Sequence, residues 1–365
     1  MTSDAFPRIT SGRLGWADFA RGAAIVCVVY FHATLFLGTV GIDQTLGRVK
    51  LALELFPLPA FFLIAGIFSA RSILDGSFRD LVLKRLLPLG YVYVLWSVLR
   101  FALFAAFPAL PSRETDIAPT DPMSLVLLPA LPASLYWFLY ALLLFTIVMR
   151  LVRRLRRWIV LTAAAVLSTL FTTGVVNTST IAWDRIGALL FFFAAGVLMS
   201  REIIAAMSRA RAHHLVFAVA GYAAIVAVLF FFRGASRVPF VVLAGQCLAV
   251  AAALLISRQL VKVPMLGFVS SIGRTSLPIY LVHILVIPPI AYALGLVDPD
   301  WPAVVNITVT VAVTTVALLA GYGLQALAFR APWLLAPILR VRSRGRPDAQ
   351  SERHPTRSTA RYRQN

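Results

Sequence analysis

Charge is what this 365-residue chain has least of. Asp, Glu, Lys and Arg together make up 13% of it, against 60% hydrophobic residues, and the mean hydropathy is +0.84. No water-soluble globular domain carries that balance. Acids are scarcer still, 15 against 34 Lys and Arg, for a formal charge of +19. In a soluble chain such an excess would point to nucleic acid. Here the cations sit in short segments between apolar runs, where they set membrane orientation instead, and no nucleic-acid partner is expected. Cysteine is almost missing: Cys27 and Cys247 both fall in apolar runs, too few for a disulfide framework. Two intramembrane histidines without a mid-span carboxylate or a cysteine cluster fall short of the usual ligand sets, so no metal is expected. No Asp and Ser are positioned with a histidine as a catalytic triad would need.

What is present in abundance is membrane-length hydrophobicity. Apolar spans lie at about 17–38, 51–70, 86–107, 131–150, 158–176, 182–200, 213–232, 238–257, 271–294 and 303–329. Lengths near twenty residues fit helices, whereas a membrane barrel needs short alternating strands. The expected fold class is therefore all-α, a polytopic bundle of about ten transmembrane helices. The first span is too long, and too polar at Arg21 and His32, for the core of a cleavable leader. With the N-terminus inside, 25 of the 34 Lys and Arg fall in inner segments and only six in outer ones. Both termini are expected in the cytoplasm, with the protein in the inner (plasma) membrane. The organisation is then a cytoplasmic segment 1–16, a membrane domain 17–329 and a basic tail 330–365. The tail, with eight arginines after residue 339 and few apolar residues, is expected to be disordered and to touch anionic lipid.

Two spans carry ionisable groups in positions where they are costly. In ADFARGAAIVCVVYFHATLFLG, Arg21 and His32 are eleven residues apart, which puts them on one helix face about 16 Å apart. Asp18 lies on the same side. Either this stripe faces a polar cavity, or the acid and guanidinium sit at headgroup level and His32 bonds a neighbouring helix. In SSIGRTSLPIYLVHILVIPPI a polar start with Arg274 leads to His283 among aliphatics, about 13 Å deeper. The two intramembrane histidines form a constellation able to take or give a proton near neutral pH.

Other groups have weaker claims. Pro57 and Pro59 interrupt regular hydrogen bonding near the outer end of the second span, beside either a cavity or plain packing. Arg71, Arg79, Lys84 and Arg85 cluster between spans two and three, where they suit a phosphorylated ligand or serve orientation alone. Tyr136 and Trp137 fall where an interfacial aromatic belt would place them, and Tyr140 is deep enough to donate into a cavity. Asp184 and Arg185 are expected to pair with each other.

At WADFARGAAIVCVVYFH, LPAFFLIAGIFSAR, LYWFLYALLLF and SIGRTSLPIYLVH, taken in order, the chain resembles the acyltransferase 3 family of integral-membrane acyltransferases, in its form without a fused periplasmic domain. The resemblance implies a helix bundle that moves an acyl group from acyl-CoA, a co-substrate rather than a permanently bound cofactor. The acceptor it implies is a glycan, a lipid-linked sugar or a similar cell-envelope molecule, as in O-acetylation of polysaccharides. It makes His32 the essential histidine, Arg21 its partner and His283 the histidine that ends the late motif. Arg71, Arg79, Arg85 and Arg274 are candidates for holding the donor's phosphates. Two departures stand out: Ala65-Gly66 replaces Ser-Gly, and the basic loop lacks Arg-x-x-Arg. His32 would act either as base for the acceptor hydroxyl or as a nucleophile carrying the acyl group. By physics alone, a proton-coupled transporter would use the same intramembrane histidines.

The orientation is checked by cysteine labelling. Single cysteines at Ser112 and Asp298 should react from outside the cell, and one at Ser343 only after permeabilisation; a reversal at any of the three removes the topology.

Overall fold

The computed structural model describes residues 14–42, 55–112, 117–132, 135–297 and 301–337. Among them there is no strand, and the chain is a polytopic helical membrane bundle. The helices are α1 Gly15–Leu37, α2 Pro57–Leu74, α3 Phe78–Ala106, α4 Trp137–Val152, α5 Arg157–Thr172 and α6 Ile181–Leu198. Then follow α7 Ser200–Arg209, α8 Ala212–Phe231, α9 Val241–Leu260, α10 Gly267–Arg274, α11 Ser276–Gly295 and α12 Ala303–Arg330. Eight segments among the described residues are long and apolar enough to cross a membrane; α4 and α5, at 16 residues each, are apolar but shorter. Every expected span coincides with a helix. The second starts later than expected, so that Pro57 opens α2, where a missing N–H removes no intrahelical bond. The ninth is broken at Thr275 into α10 and α11.

The hub is α1, which packs on α2, α9, α10, α11 and α12. Apart from the stripe of Asp18, Arg21 and His32 it is almost wholly apolar, as suits a helix packed among others in a membrane. Ala17, Ala20, Gly22, Ala24 and Ala33 let those neighbours approach closely. A Cβ on Gly22 would sit 2.0 Å from the Val269 carbonyl oxygen, and one on Gly273 would sit 1.8 Å from that of Asp18, so α1 and α10 meet backbone to backbone. The same device joins α2 to α6, where Gly66 and Gly196 face each other and a Cβ on Gly66 would lie 2.4 Å from the Phe193 carbonyl oxygen. Around this core, α8 and α12 expose Phe217, Phe231, Val304 and Leu319, which are read as lipid-facing.

Several of the arginines that set orientation also close helix ends. Arg150 and Arg153 of the α4 end donate to the Ile73 and Leu74 carbonyls at the end of α2 (2.6 and 2.9 Å), and Arg157 pairs with Glu202. Beyond α12 the described tail residues turn back onto the bundle: Trp96 Nε1 donates to the Leu334 carbonyl (2.9 Å), and Leu334 is buried.

Gly273→Val and Gly66→Val should each lower the melting temperature in detergent sharply, because overpacking costs about 1–3 kcal/mol even where the clash is with side chains. Gly323→Ala, at a helical position with nothing within 4 Å of the new methyl, should leave it unchanged or raise it slightly.

Candidate active site

The break at Thr275 and the α1–α10 contact together build the site. Gly273 against Asp18 and Gly22 sets the register of α10 on α1, and the chain resumes as α11 directly beside Arg21. The Arg21 guanidinium then donates to the Ser276 hydroxyl (2.7 Å). Asp18, 8% exposed, adds an opposite charge within electrostatic reach of Arg21. From there the two helices run side by side, and the deeper ends of their polar stripes meet: His32 Nδ1 lies 3.1 Å from His283 Nε2, with ring centroids 5.1 Å apart.

The direction of that hydrogen bond follows from what lies behind His283. Its Nδ1 is 3.1 Å from the Ile279 carbonyl oxygen, which can only accept, so Nδ1 carries the proton and donates. Nε2 of His283 is then the acceptor, and Nδ1–H of His32 is the donor. The remaining lone pair of the dyad therefore sits on Nε2 of His32. His283 is completely buried, whereas His32 keeps partial exposure, so the free nitrogen belongs to the accessible ring. Chemically, a lone pair whose opposite ring nitrogen is anchored by a second group has the arrangement of an oriented base.

A cavity of about 460 Å³ leads toward the dyad. Arg21, Ile25 and Val28 line it from α1 and Ser276 and Tyr280 from α11, so its walls are the same helix faces that end, one turn deeper, in His32 and His283. Leu58, Phe61 and Phe138 complete its apolar interior. Its open end is marked by Lys84, with a side chain 74% exposed, and by Arg85. Both sit on a π-helical turn, Val82–Leu86, inside α3. Pro88 has no N–H to continue an α-helical ladder, and the Leu87 N–H reaches back five residues to the Val82 carbonyl. The extra residue swings Arg85 across to α2, where it bonds the Ser69 hydroxyl and the Phe68 carbonyl.

The expected site residues divide accordingly. Arg21 and Arg85 line the cavity, and His32 and His283 meet beyond its inner end. Arg71, Arg79 and Arg274 are exposed and do not line it. Lys84, expected with Arg85 in the basic cluster, also lines it, and Ser69 and Ser276 join the site although only their motifs, not their roles, stood out. The Ala65-Gly66 departure also becomes intelligible: Ala65 lines the cavity, and Ser69, one turn on, supplies the hydroxyl there.

Three expectations are corrected. Tyr136 and Trp137 are buried rather than interfacial; Tyr136 donates to the Leu281 carbonyl while Tyr280 donates to that of Leu135 (both 2.8 Å), a reciprocal clamp next to His283. Tyr140 donates to the Pro129 carbonyl and not into the cavity. With Tyr93 on Leu128 and Trp183 on Ala130, three aromatic side chains hold three consecutive carbonyls of this connection over the bundle. Asp184 accepts from the Thr178 N–H and hydroxyl (2.8 Å each) instead of pairing with Arg185, whose charge lies within electrostatic reach of His32. Arg100, 4% exposed and set over the Phe104 ring, is a buried cation that the span assignment had placed merely within the apolar run.

A family model described as an acyltransferase domain matches residues 14–325, almost the whole bundle and every residue of the dyad and cavity except Leu335. The chain belongs to the acyltransferase 3 family. It is, at that level, a membrane acyltransferase. No curated protein and no solved structure matches it.

The tautomer assignment can be read directly by nitrogen NMR of histidine-labelled protein. His32 should appear as the Nδ1–H form, and His283→Phe, which removes the acceptor, should shift it toward Nε2–H. A His32 already protonated at Nε2 in the parent would reverse the assignment.

Proposed function

We propose that this acyltransferase takes an acyl group from cytoplasmic acyl-CoA and delivers it to a hydroxyl of a glycan, lipid-linked sugar or similar cell-envelope acceptor. The observation that carries the reading is one cavity lined by the cations Arg21, Lys84 and Arg85 and walled by the α1 and α11 faces that bear the oriented imidazole pair one turn farther on. The cavity volume falls in the range of small-molecule sites. Lys84 and Arg85 meet the phosphates of the donor, and the apolar interior accepts the thioester arm. Arg85 is already held by Ser69 and Phe68, which fixes its direction before a ligand arrives. In the orientation expected from the loop charges, this end faces the cytoplasm.

In the reaction, Nε2 of His32 takes the proton of the acceptor hydroxyl as that oxygen attacks the thioester carbonyl carbon. The carbon–sulfur bond breaks, the sulfur leaves as thiolate, and the proton on Nε2 passes to it, so the products are an ester and a free thiol. While His32 is an imidazolium, its Nδ1–H donates a charge-assisted bond to neutral His283, which is supported in turn by the Ile279 carbonyl. Only one ring of the pair is charged at a time, which avoids two cations in a low-dielectric site.

Purified protein supplied with acyl-CoA and envelope extract should release thiol. His32→Gln, which hydrogen-bonds but cannot act as a base, should lower the rate by roughly 10²–10⁴ at unchanged melting temperature. Arg85→Ala should raise KM for the donor, with the loss shrinking at high salt. Substrate flux without thiol release would make the protein a transporter, and full activity of His32→Gln would remove the base. Mass spectrometry of surface glycans and lipids from a deletion strain identifies the acceptor.

A further inference from the structure

A second cavity, of about 320 Å³, lies on the other side of the α2–α6 contact. Neighbouring residues of α6 face the two spaces: Phe193 lines the first cavity and Phe192 the second, with the Gly66–Gly196 contact between them. The slot runs along α6 and α9, with Leu63 of α2 in its wall. The next helix, α8, packs chiefly on α9, has only Ala218 buried among its 20 residues and reaches the slot at His214 alone. The slot is closed at one end by α7, a short helix with Ile203 and Met207 on the slot side and Arg201, Glu202 and Arg209 exposed. An amphipathic helix of this kind lies in a membrane interface.

The walls are apolar over the length of α9 from Cys247 to Leu255, eight residues or about 12 Å. The rim has the opposite character. Ala210 lines the slot where α7 turns into α8, and Arg209 and Arg211 flank it, exposed and in no ion pair among the described residues. His213 is exposed beside them. Arg258 of α9 fixes the turn by donating to the Ala210 and Ser208 carbonyls (2.6 and 3.0 Å), so the two flanking guanidiniums are presented by a tied-down backbone.

We propose that the slot is a binding site for one anionic phospholipid of the bilayer, with an acyl chain along α6 and α9 and the headgroup phosphate at Arg209 and Arg211. An apolar groove that ends at a turn carrying two exposed cations matches an amphiphile with a negative head. It matches neither a soluble polar ligand nor a zwitterionic lipid equally well. Two guanidiniums near the surface predict a preference on the order of tenfold or more for an anionic over a zwitterionic lipid. The site is separate from the dyad and its cavity, and the inference does not depend on the donor or acceptor proposed above.

The test uses the full chain in neutral detergent, titrated with dioleoyl-phosphatidylglycerol or dioleoyl-phosphatidylcholine. Native mass spectrometry should show one retained phosphatidylglycerol, and the melting temperature should rise with that lipid more than with phosphatidylcholine. Arg209→Gln with Arg211→Gln should abolish the preference between the lipids. Ala251→Phe, which fills the slot, should lose both. In the parent protein, phosphatidylglycerol with a photoreactive chain should label Met207, Cys247 or Ala251, a readout that needs no variant to fold. Equal affinity for the two lipids, a preference that survives the double substitution, or labelling confined to other faces would overturn the proposal. Labelling of the slot by a photoreactive acyl-CoA in place of the lipid would overturn it in favour of the acyl donor, and slot residues buried between two copies in a dimer would overturn it in favour of self-association.

Discussion

The structure depends on a contact with no side chain in it. Where Gly22 meets Gly273, two helices touch through their backbones, and a single methyl on either residue would overlap a carbonyl oxygen. In hydrocarbon there is no hydrophobic drive to bring helices together, so closeness of this kind and the dispersion it permits must hold them. Because the contact is so tight it also sets register. Arg21 falls beside Ser276, and two to three turns farther on His32 falls beside His283. A looser interface of large side chains would tolerate sliding, and neither pairing would be fixed.

The second organising constraint is that polar groups among apolar helices must satisfy one another. His283 is served on both nitrogens by a carbonyl and an imidazole; Arg85 bonds a hydroxyl and a carbonyl of α2 while it faces the cavity; Arg150 and Arg153 close the end of α2, and Arg258 that of α7. The basic residues at this end of the molecule thus perform two tasks. Their abundance sets orientation, and individual guanidiniums supply the donors that helix C-termini lack. That division explains why only some members of the basic cluster reach the cavity.

Much of this was legible in the chain. Span positions followed from hydropathy, and the grouping of His32 with His283, though not their direct contact, followed from two ionisable groups too costly to be accidental in apolar helices. What was not legible depended on three-dimensional register. The π-turn that aims Arg85 at Ser69 leaves almost no trace beyond Pro88. The break at Thr275 has local cues in Gly273 and in Pro278, which lacks the N–H that would bond the Arg274 carbonyl, but the apolar run around it reads as one span. Tyr136 resembles an interfacial aromatic, and only the approach of α11 reveals it as half of a reciprocal clamp. The role of Ser69 in place of a hydroxyl at position 65 is likewise visible only once one turn of α2 is seen to face the cavity.

The tautomer chain has a consequence for energetics at the level of the cell. In the resting dyad both ring N–H groups are already committed, one to Ile279 and one to His283, which leaves a single vacancy for a proton. With the chemistry proposed above, that vacancy is filled by the acceptor's proton and emptied to the sulfur within the same turnover. Ester and thiol are as neutral at the reacting centre as the thioester and alcohol they replace. The cycle therefore carries no net charge across the bilayer, and the membrane potential, worth about 2.3 kcal/mol per elementary charge at 100 mV, neither drives nor opposes it.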